Sequence, residues 1–184
     1  MKPFDLLIVG GGLTSARAIK EYRLAGGDGR VALVTREHTL PYHRPPLSKR
    51  YLRGEIEQGD TLVEPEEFYV ENDVELLLAT EVSKVQPGDH AVVTSSGQSY
   101  RYAKLLLAPG AVPVTPPVEG IDLPGVFTLR SVVDSAAIRE AAQNARDAVV
   151  VGSGFIGMEV AASLTQLGLD VTLVTRDADL FAQL

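Results

Sequence analysis

A glycine turn set between an apolar strand-like run and a helix occurs twice in this 184-residue chain, once at Gly10 and again at Gly152. The first copy reads Leu7-Ile8-Val9-Gly10-Gly11-Gly12-Leu13-Thr14-Ser15, then a helical stretch, then Val31-Ala32-Leu33-Val34-Thr35-Arg36-Glu37. The second reads Val149-Val150-Val151-Gly152-Ser153-Gly154-Phe155-Ile156-Gly157-Met158-Glu159, a helical stretch, and Val171-Thr172-Leu173-Val174-Thr175-Arg176-Asp177. Each is a βαβ unit built around G-x-G-x-x-G. Gly10 with Gly12, and Gly152 with Gly154, let the backbone turn sharply and approach a pyrophosphate. The helix that follows presents N–H groups and a positive dipole end to that anion. Ser15 stands where the first motif wants Gly or Ala for close helix–strand packing, and serine is small enough to fit. One such motif is weak evidence, because glycine turns also serve packing. Two in one chain, each closing into a second strand, point to two dinucleotides, and two dinucleotides imply electron transfer between them.

Composition narrows the field. With 24 acidic against 17 basic residues the formal charge is −7, which argues against nucleic acid as partner. Cysteine is absent, which removes disulfides and thiolate metal sites and suits a reducing cytoplasm. His38, His43 and His90 have neither metal-ligand spacing nor a nucleophile partner, so no metal is assigned. The first strand is expected to begin by about residue 4, so no signal peptide is expected. No apolar run approaches the roughly 20 residues of a membrane span. Helices are expected over residues 14–25 within the first unit and over 47–53, 64–71 and 133–144 between the two units. Strands are expected over 74–78, 91–95, 99–102 and 104–108, with turns at Pro87-Gly88-Asp89 and Ser96-Gly97-Gln98. The proline-containing stretch 109–124 reads as an extended crossing.

Three further segments carry a family resemblance. They are Pro41-Tyr42-His43-Arg44-Pro45-Pro46-Leu47-Ser48-Lys49, Leu105-Leu106-Leu107-Ala108-Pro109-Gly110-Ala111, and Leu123-Pro124-Gly125-Val126-Phe127-Thr128-Leu129-Arg130-Ser131. In this order, and together with the two glycine units, they resemble the FAD-dependent NAD(P)H oxidoreductases of the ferredoxin, putidaredoxin and rubredoxin reductase type, a group that includes apoptosis-inducing factor. The segment RPPLSK is the most specific part of the resemblance. The family belongs to a superfamily in which other members carry a redox-active dithiol, which a cysteine-free chain cannot have. The resemblance implies an α/β fold: a Rossmann-like FAD-binding domain, with a parallel sheet and a small antiparallel sheet, followed by the start of an inserted NAD(P)-binding Rossmann domain. The expected boundaries are 1–112 for the first FAD segment, 113–145 for the crossing and its helix, and 146–184 for the NAD(P) part. Since one helix and two strands cannot bury both faces of a parallel pair, the chain reads as an N-terminal fragment, inactive by itself.

The resemblance also assigns residues. Gly10, Gly12, Leu13, Thr14 and Ser15 would hold the FAD pyrophosphate, Val82 the adenine, and Ala108, Gly110 and Arg130 further parts of the cofactor. Pro109 replaces a threonine usual in that loop and removes an N–H donor. Arg44 and Lys49 lie in the flavin-contacting segment, with Lys49 near the isoalloxazine. Gly152, Gly154, Phe155, Ile156 and Gly157 would hold NAD(P)H, and Glu159 would face the nicotinamide and pair with Lys49. The strand ends are less orthodox. A dinucleotide fold normally ends its second strand on an acid that accepts from ribose hydroxyls. Arg36 takes that place in the first unit, and guanidinium only donates. Either Glu37 accepts instead, or Arg36 stacks on the adenine, or the arginine is a solvated strand-end charge. In the second unit Thr175 replaces the acid and Arg176 follows, which leans towards the 2′-phosphate of NADPH. The same Leu-Val-Thr-Arg ends the FAD unit, where there is no 2′-phosphate, and this tempers that lean. The implied reaction is hydride transfer from nicotinamide to flavin, then single electrons to a small iron–sulfur protein. A quinone- or oxygen-reducing oxidoreductase and a non-catalytic nucleotide-sensing or interaction protein remain as alternatives.

Overall fold

The computed structural model describes residues 2–176, and the chain divides into two compact units. One gathers the residues up to His43 with Leu62–Ala111. The other gathers Arg44–Thr61 with the residues from Val112 onward.

In the first unit, β1 (Phe4–Val9), α1 (Leu13–Leu24) and β2 (Val31–Val34) form the first βαβ element. The sheet continues through β3 (Val74–Leu77), β4 (Val82–Gln86), β5 (Ala91–Thr94) and β6 (Ser99–Leu107), in the order β3-β2-β1-β6-β5-β4. The pairs β1–β2, β2–β3 and β1–β6 are parallel, while β5–β6 and β4–β5 are antiparallel. The four residues of β2, Val-Ala-Leu-Val, are all buried, as a strand covered on both faces requires. Ile8, Ile19, Val31, Leu33 and Tyr69 pack on the face covered by α1 and α2 (Glu66–Glu71). Phe4, Leu7, Ala32 and Val34 pack on the other face, with Val92, Tyr100 and Tyr102 from the antiparallel strands. The parallel sheet with its antiparallel extension is the expected architecture. Burying those two apolar faces is its main driving force, at roughly 25 cal/mol per Å².

Three local expectations change. The two strands expected at 99–102 and 104–108 are one strand, β6. It pairs with β5 along its first part and with β1 along its second, and Ala103 carries it through without a break. β4 was not legible, because Val82-Ser83-Lys84-Val85-Gln86 is largely polar and its register shifts between Val82 and Lys84. The helix expected at 47–53 is instead a 3₁₀ turn at Pro45–Ser48, followed by irregular turns. Successive prolines lack N–H groups and favour a short turn. Lys49, at φ −128° and ψ −113°, then leaves helical space.

In the second unit, β7 (Asp147–Val151) and β8 (Asp170–Val174) pair in parallel around α4 (Phe155–Gln166), with α3 (Val132–Ala142) preceding them. Ala142, Leu164 and Leu169 pack with Ala148, Val150 and Val171 on the covered face of the pair. The alternate residues Val149, Val151 and Val174 are exposed. Among the described residues no helix is long and apolar enough to cross a membrane.

Candidate nucleotide and electron-transfer site

The two glycine loops differ at the position where helix meets strand. Gly10 has φ +121°, and a Cβ there would run into the Ala108 carbonyl, so only glycine fits. At the third motif position, a Cβ on Gly157 would likewise run into the carbonyl oxygen of Gly152. In the first unit a side chain is accepted at the matching place. Ser15 is fully buried and its Oγ donates to the Gly10 carbonyl at 2.5 Å. The serine turns the same close approach into a hydrogen bond, so its departure from Gly or Ala leaves no buried polar group unpaired.

Helix caps separate the nucleotide candidates from the structural helix. The N-cap Ser131 of α3 takes part in a capping box with Asp134, in which Ser131 Oγ accepts from the Asp134 N–H and the Asp134 carboxylate accepts from the Ser131 N–H. Neither α1, with Gly12 as N-cap, nor α4, with Gly154 as N-cap, has a side-chain cap or an acid in its first turn. A Cβ on Gly12, Gly152 or Gly154 would meet nothing within 4 Å. The glycines leave room for a ligand and no first-turn carboxylate counters either helix dipole, so the chemistry of both loops fits a pyrophosphate. Leu13 and Thr14 open α1 and are exposed, as are Phe155 and Ile156 at the start of α4.

The remaining candidates of the first unit lie at strand ends. Glu37 is half-buried, and its Oε2 accepts from the hydroxyl of the buried Tyr42 at 2.5 Å. Arg36 is exposed. Val82 opens β4 and packs against the Phe4–Tyr100 core. Ala108 donates its N–H to Val9 at 2.8 Å, and Gly110 is exposed with φ +73°.

The second unit brings four candidates together. Arg44 Nη1 donates to the Arg130 carbonyl at 2.5 Å, while the Arg130 N–H donates to Asp134 at 2.9 Å, so both arginines are tied to the start of α3. Lys49 Nζ lies 2.6 Å from Glu159 Oε2, and the same oxygen accepts from Ser48 Oγ at 2.5 Å. Burial alone would raise the Glu159 carboxyl. The Lys49 and Ser48 hydrogen bonds and the lysine charge outweigh it and hold the group below the usual carboxylate range. Glu159 is therefore ionised at neutral pH and faces a fixed cation. Thr175 is half-buried and Arg176 exposed just past β8, and Asp177 lies outside the described residues. Among the described residues no three His, Asp or Glu side chains gather as a metal site.

Sequence reasoning missed the hydroxyls around this pair. Ser135 Oγ donates to the Leu47 carbonyl at 2.7 Å across 88 residues, and Ser163 Oγ donates to the Ser48 carbonyl at 2.7 Å across 115. Neither contact has a spacing signature. The one available hint is a serine one turn after Glu159 in a helix, where serine is a middling helix former.

The family model for pyridine nucleotide-disulphide oxidoreductases matches residues 4–184. The ferredoxin reductase subunit of a 5,5'-dehydrodivanillate O-demethylase from Sphingobium is 40% identical over 174 residues, which is 95% of this chain and 42% of that protein. A rubredoxin-NAD(+) reductase from Pseudomonas putida is 36% identical over 92% of this chain and 44% of its own length. The crystal structure of a ferredoxin reductase from Rhodopseudomonas palustris superposes with a TM-score of 0.92 at 31% identity, covering 98% of this chain and 45% of that one. The chain thus spans less than half the length of the relatives it matches. Two glycine-loop βαβ elements and this match along nearly the whole sequence place the chain in the pyridine nucleotide-disulphide oxidoreductase family.

Proposed function

We propose that this chain is the nucleotide-binding portion of a flavoprotein reductase that takes hydride from NAD(P)H and passes electrons to a small iron–sulfur protein of the ferredoxin or rubredoxin type. The observation that carries the reading is that α1 and α4 each start on a glycine, with no side-chain cap and no acid in the first turn, whereas α3 carries a full capping box. On this reading residues 1–112 are the first FAD segment, 113–145 the crossing, and 146–184 the start of the NAD(P) part. FAD, when bound, supplies the hydride acceptor and the step from two-electron to one-electron transfer.

The chain's residues bind, orient and set charge. Gly10, Gly12 and the first turn of α1 cradle one pyrophosphate, and Gly152, Gly154 and the first turn of α4 the other. Glu37, fixed by Tyr42, is the ribose acceptor that Arg36 cannot be. Val82, Ala108 and Gly110 are the further FAD candidates of the first unit, and Arg44 and Arg130 those of the second. Lys49 supplies a fixed positive charge where negative charge accumulates on reduction, and Glu159 places the nicotinamide and tempers that charge. A cytoplasmic setting suits a chain without cysteine.

The test is direct for a protein that carries this chain at the length of its relatives. It should purify yellow and release FAD, not FMN, on heating. It should also bleach with NAD(P)H under anaerobic conditions and recolour faster with a ferredoxin than with a quinone. Lys49→Ala should slow bleaching by about 10²-fold while coenzyme affinity changes little. A colourless protein that still binds NAD(P)H would support a nucleotide sensor instead, and faster recolouring with a quinone would support a quinone reductase.

A further inference from the structure

The turn that carries Lys49 is held by its carbonyls. Pro45–Ser48 is a single 3₁₀ turn whose last carbonyls have no continuing helix to bond. Two buried serines from two helices take them: Ser135 of α3 holds Leu47, and Ser163 of α4 holds Ser48. Ser163 lies four residues after Glu159 on α4, so both side chains occupy one helix face. Ser48 is thereby gripped twice by α4, through its carbonyl by Ser163 and through its hydroxyl by Glu159. The Ser163 hydroxyl is also an acceptor, with Arg53 Nη1 at 3.1 Å, and Glu55 holds the other side of that arginine at 2.6 and 3.0 Å. A line of contacts therefore runs from Glu55 through Arg53, Ser163 and Ser48 to Glu159, and Lys49 meets the same carboxylate oxygen at its end.

We propose that Ser163 is a positioning residue for the Lys49–Glu159 pair: by fixing the Ser48 carbonyl it sets the turn so that the Ser48 hydroxyl and the Lys49 ammonium meet Glu159 together. The proposal rests on the reading of that pair as part of the electron-transfer site. Without the Ser163 hydroxyl the carbonyl and the Arg53 donor both lose a partner, and the turn can drift relative to α4. A drift of a fraction of an ångström is enough to misplace an ammonium that must act at short range.

The experiment uses the full-length protein with its flavin, and the same protein freed of flavin. Ser163→Ala should slow flavin reduction by NAD(P)H about tenfold, with coenzyme affinity within about twofold of the parent. Ser163→Thr, which keeps the hydroxyl, should restore most of the rate. The double variant Lys49→Ala/Ser163→Ala should be no slower than Lys49→Ala, because the serine acts through the lysine. In the flavin-free protein, the titration of Glu159, followed by carbon NMR of labelled glutamate, should move up in Ser163→Ala. A parent-like rate in Ser163→Ala, losses that multiply in the double variant, or an unmoved Glu159 titration overturns the proposal. Should Ser163→Ala fail to retain flavin, Ser163→Cys, with a weak donor of similar size, takes its place under the same expectations. If Lys49→Ala itself reduces at the parent rate, the reading of the pair fails and the proposal with it. If Lys49→Ala is slow and Ser163→Ala is not, only the role of Ser163 fails.

Discussion

One carboxylate oxygen, Glu159 Oε2, takes hydrogen bonds from both Ser48 and Lys49, and this sharing has a pH signature. In the unfolded chain the group titrates near 4.5, whereas in the folded chain its donors hold it lower against the effect of burial. A depressed folded value stabilises the fold fully above the unfolded value, and that contribution is lost as pH falls through the folded one. Glu159→Gln should therefore lower the melting temperature at pH 7, with the deficit shrinking as pH drops below about 4.5. Ser48→Ala should shift that loss to higher pH. A melting deficit that stays constant from pH 7 to pH 3 would count against the assignment. Arg176 makes a separate claim. If it meets a 2′-phosphate, Arg176→Ala should raise KM for NADPH by the equivalent of about 1–3 kcal/mol and leave NADH little changed. Equal effects on both coenzymes would mark the residue as a surface charge. At this scale the glycine turns and the Lys49–Glu159 contact could be read from the sequence, because both are tied to motif positions. Ser48, Ser135, Ser163 and Tyr42 could not, because a hydroxyl gives no sign of its partner until folding brings one within reach.

At the scale of elements, the two βαβ units reach one geometry by different means. α4 approaches β7 so closely that residue 157 must lack a Cβ, whereas α1 accommodates a serine at the matching place and uses its hydroxyl. Gly157→Ala should therefore cost more than Ser15→Ala. The first forces α4 off a backbone carbonyl, for a loss of about 1–3 kcal/mol or more. The second gives up one hydrogen bond, for roughly 0.5–1.5 kcal/mol. Denaturant unfolding of both variants decides the order, and an Ala at 157 tolerated without loss would mean that α4 can slide. The βαβ elements were predictable because their apolar runs, glycine turns and helix starts are local signals. The turn at Pro45–Ser48 was misread as a longer helix, since its ending depends on the backbone of Lys49 and on carbonyls held by distant serines.

For the molecule as a whole, the two units differ in how completely their strands are enclosed. β1 lies between β2 and β6 with both faces covered, while β7 has β8 as its one described neighbour and exposes Val149 and Val151. Amide exchange follows local opening, which is easier where apolar contacts are few and edges are open. In the 184-residue chain alone, the amides of β1 and β2 should be protected by at least tenfold more than those of β7 and β8, on the order of 1.4 kcal/mol. Equal protection measured by hydrogen exchange would show that the β7–β8 pair is stabilised by something other than its covered face.

The sequence alone determined the fold class and the number of glycine-loop βαβ elements, because both follow from short-range patterns: an alternation of apolar runs and glycine turns, repeated once. It also pointed to Lys49 and Glu159 as partners through the resemblance carried by RPPLSK and GFIGME. Only the tertiary structure decided how that pair is held. The donors that ionise and fix Glu159 come from a 3₁₀ turn more than a hundred residues away, and the serines that anchor this turn stand on two separate helices. Contacts across such separations leave no periodicity in the chain. They follow from the packing of α3 and α4 against one short turn, which no local signal records.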